Sequence, residues 1–240
     1  MLLPGFPLLY GSAASAAFAS VGRQCHMAGM HRRSLFALLS LLLAGAVPAR
    51  AAPVAAPLTP ADHAELDKIA AYLNGITALK AKFLQVAPDG QVSQGIAWLE
   101  RPGRMRFQYD PPSPYLLVAG YGLLVFHDSS LDQTTNIPLS STPLGVLLAP
   151  HITLTGAVTV TGFQRLPGEF DVTLVRTDAP GQGSLTLVFS TAPLTLRQWA
   201  VRDAQGKLTR VSLYDVELGG HFPAHLFSYV RIPSNNRNGN

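Results

Sequence analysis

The chain is expected to be mainly β with a few helices, about 11 antiparallel strands making one large curved sheet, a barrel or a sandwich. Three observations predict this. From residue 77 onward, apolar and polar residues alternate with period two through nearly every segment. Turn chemistry breaks that alternation at short intervals. A helical stripe of useful length occurs just once, near residue 60.

The elements follow in order. Residues 31–51 read HRRSLFALLSLLLAGAVPARA, a positive start, an apolar run over 35–47 and an A-x-A site at Ala49-Arg50-Ala51. This is the pattern of a cleaved signal peptide, over about 30–51, releasing a chain that begins at Ala52. The apolar run falls short of the roughly 20 residues a membrane-spanning helix needs. Residues 1–29 precede the positive start, and Met30 or Met27 is read as the true start of translation. Cys25, the sole cysteine, follows Gly22-Arg23-Gln24, which is no lipobox, so the exported protein is expected to be soluble, cysteine-free and without a lipid anchor.

Residues 52–58 form a Pro/Ala linker, and 59–233 a single domain, followed by a polar tail over 234–240. Thr59-Pro60 reads as N-cap and N1, with Asp62 at the capping-box position. Leu66, Ile69, Leu73 and Ile76 share one face, and Asn74-Gly75 is a C-cap signal, which predicts a helix over 60–73. Strands are predicted at 77–86, 92–101, 104–109, 115–119, 122–128, 131–137, 152–162, 169–177, 184–190, 194–202, 207–217 and 226–232. Pro88-Asp89-Gly90, Pro102-Gly103, Gly120-Tyr121-Gly122, Asp128-Ser129-Ser130, Gly181-Gln182-Gly183 and Asp203-Ala204-Gln205-Gly206 supply turns. Between them, 142–149 (TPLGVLLA) predicts a short apolar helix with Leu144, Leu147 and Leu148 on one face, ended by Pro150.

Composition narrows the function. The chain is 48% apolar and 13% charged with a formal charge of +4, which excludes a disordered chain. Arg23, Arg32, Arg33 and Arg50 lie in the first 51 residues, where no acid occurs. The remainder carries 14 basic and 14 acidic residues, so no nucleic-acid partner is expected. No nucleophile elbow, Walker loop or G-x-G-x-x-G string occurs. His221 and His225 are separated by Pro223, unsuited to a helical zinc pair, and the acids are scattered. An enzyme, a metal site and a cofactor are therefore not expected.

What stands out is an apolar hairpin, Ile96 to Tyr109, in which Met105, Phe107 and Tyr109 alternate against Arg104, Arg106 and Gln108. A two-residue turn at Pro102-Gly103 would set Trp98 opposite Phe107 and Ile96 opposite Tyr109. A bulge at Gly103 would reverse the phase and bring Arg101 to the aromatic face. Sequence leaves both registers open.

Phe83-Leu84-Gln85 and the string Gly95-Ile96-Ala97-Trp98-Leu99-Glu100-Arg101-Pro102-Gly103-Arg104-Met105-Arg106-Phe107-Gln108-Tyr109 resemble the periplasmic outer-membrane lipoprotein carrier family (LolA). So do Pro111-Pro112, Leu117-Val118-Ala119-Gly120, Leu131-Asp132-Gln133-Thr134-Thr135 and Ser141-Thr142-Pro143-Leu144, and the resemblance spans 66–233. It implies an unclosed antiparallel β-barrel, capped by a helical lid over an apolar cavity. It implies a soluble periplasmic chaperone that takes acylated lipoproteins from an inner-membrane ABC-type exporter and passes them to an outer-membrane acceptor. It gives Arg101 the role of holding the lid, and Phe83, Trp98, Met105, Phe107, Leu144 and Leu147 the acyl cavity. Phe107 stands where many members carry Trp, and Gly145 interrupts the lid.

The physics suits that role. Each buried methylene is worth roughly 0.8 kcal/mol, so a lipid chain represents on the order of 10 kcal/mol. A soluble carrier must hide it in a large apolar concavity and release it through a movable lid. The rival is a periplasmic carrier of a free lipid or glycolipid on the same half-barrel. An envelope-stress sensor or structural module would call for an additional partner-binding domain, for which the 189 residues from Ala52 leave no room. The carrier is expected to be a monomer.

Overall fold

A computed structural model describes residues 52–229. The signal peptide over 30–51, the start at Met30 or Met27 and the 234–240 tail lie outside the described residues.

Thr59 and Asp62 start the one α-helix among the described residues, α1 (Pro60–Gly75), through a complete capping box. The Asp62 amide donates to Thr59 Oγ1 at 3.2 Å, and the Thr59 amide donates to Asp62 Oδ2 at 2.9 Å. Leu66, Ile69, Leu73 and Ile76 are all buried. The helix runs past the expected end at 73 because Asn74 does not leave it. Its side-chain amide donates to Ala70 O and Ile152 O, and its Oδ1 accepts the Ile152 amide.

Eleven strands follow: β1 (Ala78–Val86), β2 (Val92–Glu100), β3 (Arg104–Tyr109), β4 (Tyr115–Gly120), β5 (Leu123–Asp128), β6 (Gln133–Pro138), β7 (Val158–Leu166), β8 (Glu169–Arg176), β9 (Gly183–Thr191), β10 (Leu194–Asp203) and β11 (Leu208–Leu218). They make one antiparallel sheet in the order β6-β5-β4-β3-β2-β1-β11-β10-β9-β8-β7. β1 joins the two halves by pairing with both β2 and β11. β6 and β7 are the two edges, so the sheet is an unclosed barrel. Register shifts in β7, β10 and β11 are bulges of the kind that increase curvature. The inner face is apolar because period-two alternation sends Met105, Phe107 and Tyr109 there, with Leu117, Leu187 and Leu213 from other strands.

Two elements close over the inner face. α1 lies across the β7–β10 half: Arg165 bonds Asp62 (2.9 Å), and the Leu196 amide donates to the Tyr72 hydroxyl (3.1 Å). The chain over 139–157 crosses from edge β6 to edge β7. Here the expected helix over 142–149 is replaced by two short 3₁₀ turns, Leu139–Ser141 and Pro143–Val146. The reason is local. Pro143 supplies no amide, and a Cβ on Gly145 would lie 2.7 Å from Leu139 O, so the chain folds tightly on itself through i to i+3 bonds.

Two strand expectations are also corrected. Residues 152–157 are irregular and β7 starts only at Val158, because Asn74 takes both backbone groups of Ile152. Within 226–232, the described part is the end of a 3₁₀ turn, Ala224–Phe227, and not a strand. Residues 221–229 instead lie against the outer face of β2–β5. Leu226 O accepts from Arg106 Nη1 (3.2 Å), Glu100 Oε2 accepts the Phe222 amide (3.1 Å), and Tyr229 pairs with His127 (2.9 Å).

Candidate functional site

The β2–β3 hairpin decides which residues reach the inner face. Glu100 pairs with Arg104, Leu99 with Met105, Ala97 with Phe107 and Gly95 with Tyr109. The loop is therefore Arg101-Pro102-Gly103, with Gly103 at φ +72°, a backbone state that costs glycine little. Of the two registers open to the sequence, the structure adopts the one that turns Arg101 inward. It also corrects the placement of Trp98, which sits opposite Arg106 on the outer face, away from Phe107.

Small residues on β2 make room for rings on its neighbours. Gly95 lies across from both Phe83 and Tyr109, and a Cβ there would fall 2.0 Å from Gln108 O. The rings then meet in a continuous row. Centroid separations are 5.9 Å for Trp199–Phe107, 4.7 Å for Phe107–Phe83, 5.1 Å for Phe83–Tyr109, 6.0 Å for Tyr109–Tyr115 and 5.3 Å for Tyr115–Phe126. The Tyr109 hydroxyl donates to Gln85 Oε1 at 2.9 Å, and burial pushes its pKa up, so it remains a neutral donor.

Above this row lie two apolar spaces. The larger is bounded by Phe107, Leu117, Leu124, Ile137 and Val211, and by Leu144 from the crossover. Gln85, Thr209 and Asp203 supply its polar fringe. The smaller lies under the end of α1 against Leu79, Ala97 and Leu99, and is bounded by Leu147 and Arg101. Phe107 and Trp199 border both. Of the sequence-derived cavity residues, Phe107, Leu144 and Leu147 thus face these spaces, while Phe83 and Met105 are buried in the same core just behind them.

Arg101 reaches the last turn of α1. Its Nε donates to Ile76 O at 2.8 Å, and its Nη2 donates to Leu73 O and Ile76 O. These carbonyls lie where the helix runs out of internal donors and its dipole favours a cation. Burial lowers the guanidinium's pKa, but an arginine starts so far above neutrality that it stays charged. Arg101 makes these bonds to the end of α1 and not to the 143–149 segment. The hairpin holds that segment by a backbone bond instead, Gly103 N to Leu148 O at 2.8 Å. One loop therefore ties down both covering elements.

Sequence reasoning missed Trp199. The bulge between Leu196 and Gln198 puts Leu196 and Trp199 on the same face despite their odd spacing. The three-residue interval between these two large apolar residues is the signal that was available. Among the described residues no group of three His, Cys, Asp or Glu side chains is placed to hold a metal ion.

The family model "Outer membrane lipoprotein carrier protein LolA" matches residues 74–230. An outer-membrane lipoprotein carrier protein of Chromohalobacter salexigens is 29% identical over 74% of this chain and 89% of its own length. One from Methylococcus capsulatus is 27% identical over 68% of this chain and 81% of its own. Among solved structures, a LolA superfamily protein from Nitrosomonas europaea aligns over 68% of this chain and 97% of its own at 11% identity, with a TM-score of 0.40.

Proposed function

Because this chain belongs to the outer membrane lipoprotein carrier family LolA, we propose that it is a soluble periplasmic chaperone for acylated lipoproteins, and not an enzyme. It takes them from an inner-membrane ABC-type exporter and delivers them to the outer membrane, with the mature chain starting at Ala52. The observation that carries this reading is the pair of apolar spaces on the inner face, covered by α1 and the 139–157 crossover. Walls of that character accept methylenes and repel charged headgroups. Phe107, Leu144 and Leu147 line the acyl site, with Phe83 and Met105 supporting it.

Arg101 is the lid-control residue in this reading. It bonds Leu73 O in the last turn of α1 and Ile76 O at its C-cap from a loop whose next glycine bonds the crossover. Opening breaks a few charge-assisted hydrogen bonds and exposes apolar wall, a combination suited to a closed state that cargo can displace.

Depletion of the protein in a Gram-negative host without a second copy tests the reading. Lipoproteins destined for the outer membrane should accumulate in the inner membrane, with growth arrest. Normal sorting after complete loss would overturn it, and mass spectrometry of co-purifying cargo separates lipoprotein from free lipid or glycolipid.

A further inference from the structure

Residues 221–229 lie outside the barrel, yet they grip the loop that fastens its coverings. The Phe222 amide donates to Glu100 Oε2 at 3.1 Å, and the Arg104 guanidinium sits 6.0 Å from the centre of the Phe227 ring. Glu100 and Arg104 are the last paired residues of the β2–β3 hairpin, closed by an ion pair of 3.1 Å. Between them stand Arg101, Pro102 and Gly103, whose inner side holds Leu73 O, Ile76 O and Leu148 O. Five consecutive residues thus carry the outer segment on one side and both coverings of the cavity on the other.

The outer grip is extensive. Glu100 is 8% exposed, and a carboxylate buried that deeply depends on each of its donors, the Phe222 amide among them. Phe227 is 2% exposed and passes so close to β4 that a Cβ on Gly120 would lie 2.4 Å from Phe227 O. Ala224 and Phe227 share a cleft with Pro102, Gly103 and Arg104. Farther along, Arg106 Nη1 donates to Leu226 O at 3.2 Å, and the Tyr229 hydroxyl meets His127 Nδ1 at 2.9 Å. None of residues 221–229 borders either apolar space.

We infer that 221–229 is a strap that sets how readily the cavity opens. Seated, it holds the Glu100–Arg104 loop where Arg101 and Gly103 can fasten α1 and the crossover. Lifted, it frees that loop and loosens both fastenings together. The two sites share one coupling free energy, so the effect runs both ways, and loosening the inner latch loosens the strap. The lid can therefore be worked from outside the barrel, without entry into the cavity. The coupling belongs to the fold and holds whatever the cargo is.

Hydrogen exchange of the mature protein carrying Gly120→Ala, beside wild type, tests it. With exchange across 221–229 accelerated, peptides covering 70–78 and 144–152 should exchange about fivefold faster, the lower end of typical couplings. Peptides covering 172–175 and 185–189, in the other half of the sheet, should stay as in wild type. In return, Arg101→Leu should speed exchange across 221–229 by a similar factor. If Gly120→Ala does not fold, or leaves 221–229 as protected as before, the Arg101→Leu measurement decides alone. A loosened strap with unchanged exchange at 70–78 and 144–152 would overturn the coupling. So would unchanged exchange across 221–229 in Arg101→Leu, or an equal acceleration of all peptides in either variant, which reports lower global stability.

Discussion

Replacing Arg101 by leucine should weaken the closed state while leaving the sheet folded. Two carbonyls, Leu73 O and Ile76 O, lose a charged donor. Such hydrogen bonds contribute about 1.5–3 kcal/mol each. Against this, Nη1 of Arg101 is buried without a partner, which costs about 1–3 kcal/mol and vanishes with the side chain. The difference, about 2 kcal/mol, is a shift of roughly 30-fold toward opening. Leucine keeps the wall of the smaller space apolar, so unfolding should move little. Hydrogen exchange in peptides covering 70–78 and 144–152 should accelerate by about that factor. Lipoprotein transfer to acceptor membranes should fall while the melting temperature stays near wild type. Unchanged exchange and transfer would show that Arg101 is no latch. A collapse in melting with a proportional loss of transfer would make it a structural residue.

Three further outcomes are expected. Leu147→Glu puts a carboxylate at a position 6% exposed under the crossover, so it must leave the cavity or repel acyl chains; fatty-acid binding should drop at least tenfold, and retained binding would remove Leu147 from the site. Gly120→Ala would set a Cβ 2.4 Å from Phe227 O; the 221–229 segment should lift from the outer face, seen as faster proteolysis there and a loss of about 1–3 kcal/mol of stability, and unchanged proteolysis would contradict that packing. Asp62 is held at a pKa of about 2 by hydrogen bonds from Thr59 and by Arg165. Because its folded value lies below the unfolded one of about 3.9, its contribution is complete above that value and is lost as pH falls toward about 2. Carbon-detected titration should show this, and Asp62→Asn should flatten the acid limb of the melting curve; an Asp62 titration near its ordinary value would contradict the Thr59–Asp62 capping box.

The strands of this sheet were legible because period two is a strong signal and Gly, Pro and Asp mark the turns between them. β3, running from Arg104 to Tyr109, starts and ends where the alternation places it. What sequence could not settle was phase. A single loop residue, Gly103, decides whether Trp98 or Ala97 faces Phe107, and the free energies of the two turns are too close to rank from composition. The same applies to Trp199, whose face depends on a bulge. The 142–149 segment shows a different limit. Its leucines fit a helical face, yet contact between Gly145 and Leu139 O selects 3₁₀ turns. Long-range ties were invisible too. Neither the capture of Ile152 by Asn74 nor that of α1's last carbonyls by Arg101 leaves a local pattern.

A photoreactive phenylalanine introduced at Ile137 or at Trp98 separates the two faces of the sheet inside the cell. Ile137 borders the larger apolar space, whereas Trp98 lies on the outer face. After irradiation, the variant with the probe at 137 should form adducts with acylated lipoproteins, and the variant with the probe at 98 should form none. Lipoprotein adducts from position 98 with none from 137 would place the cargo on the outer face and contradict an acyl-binding cavity.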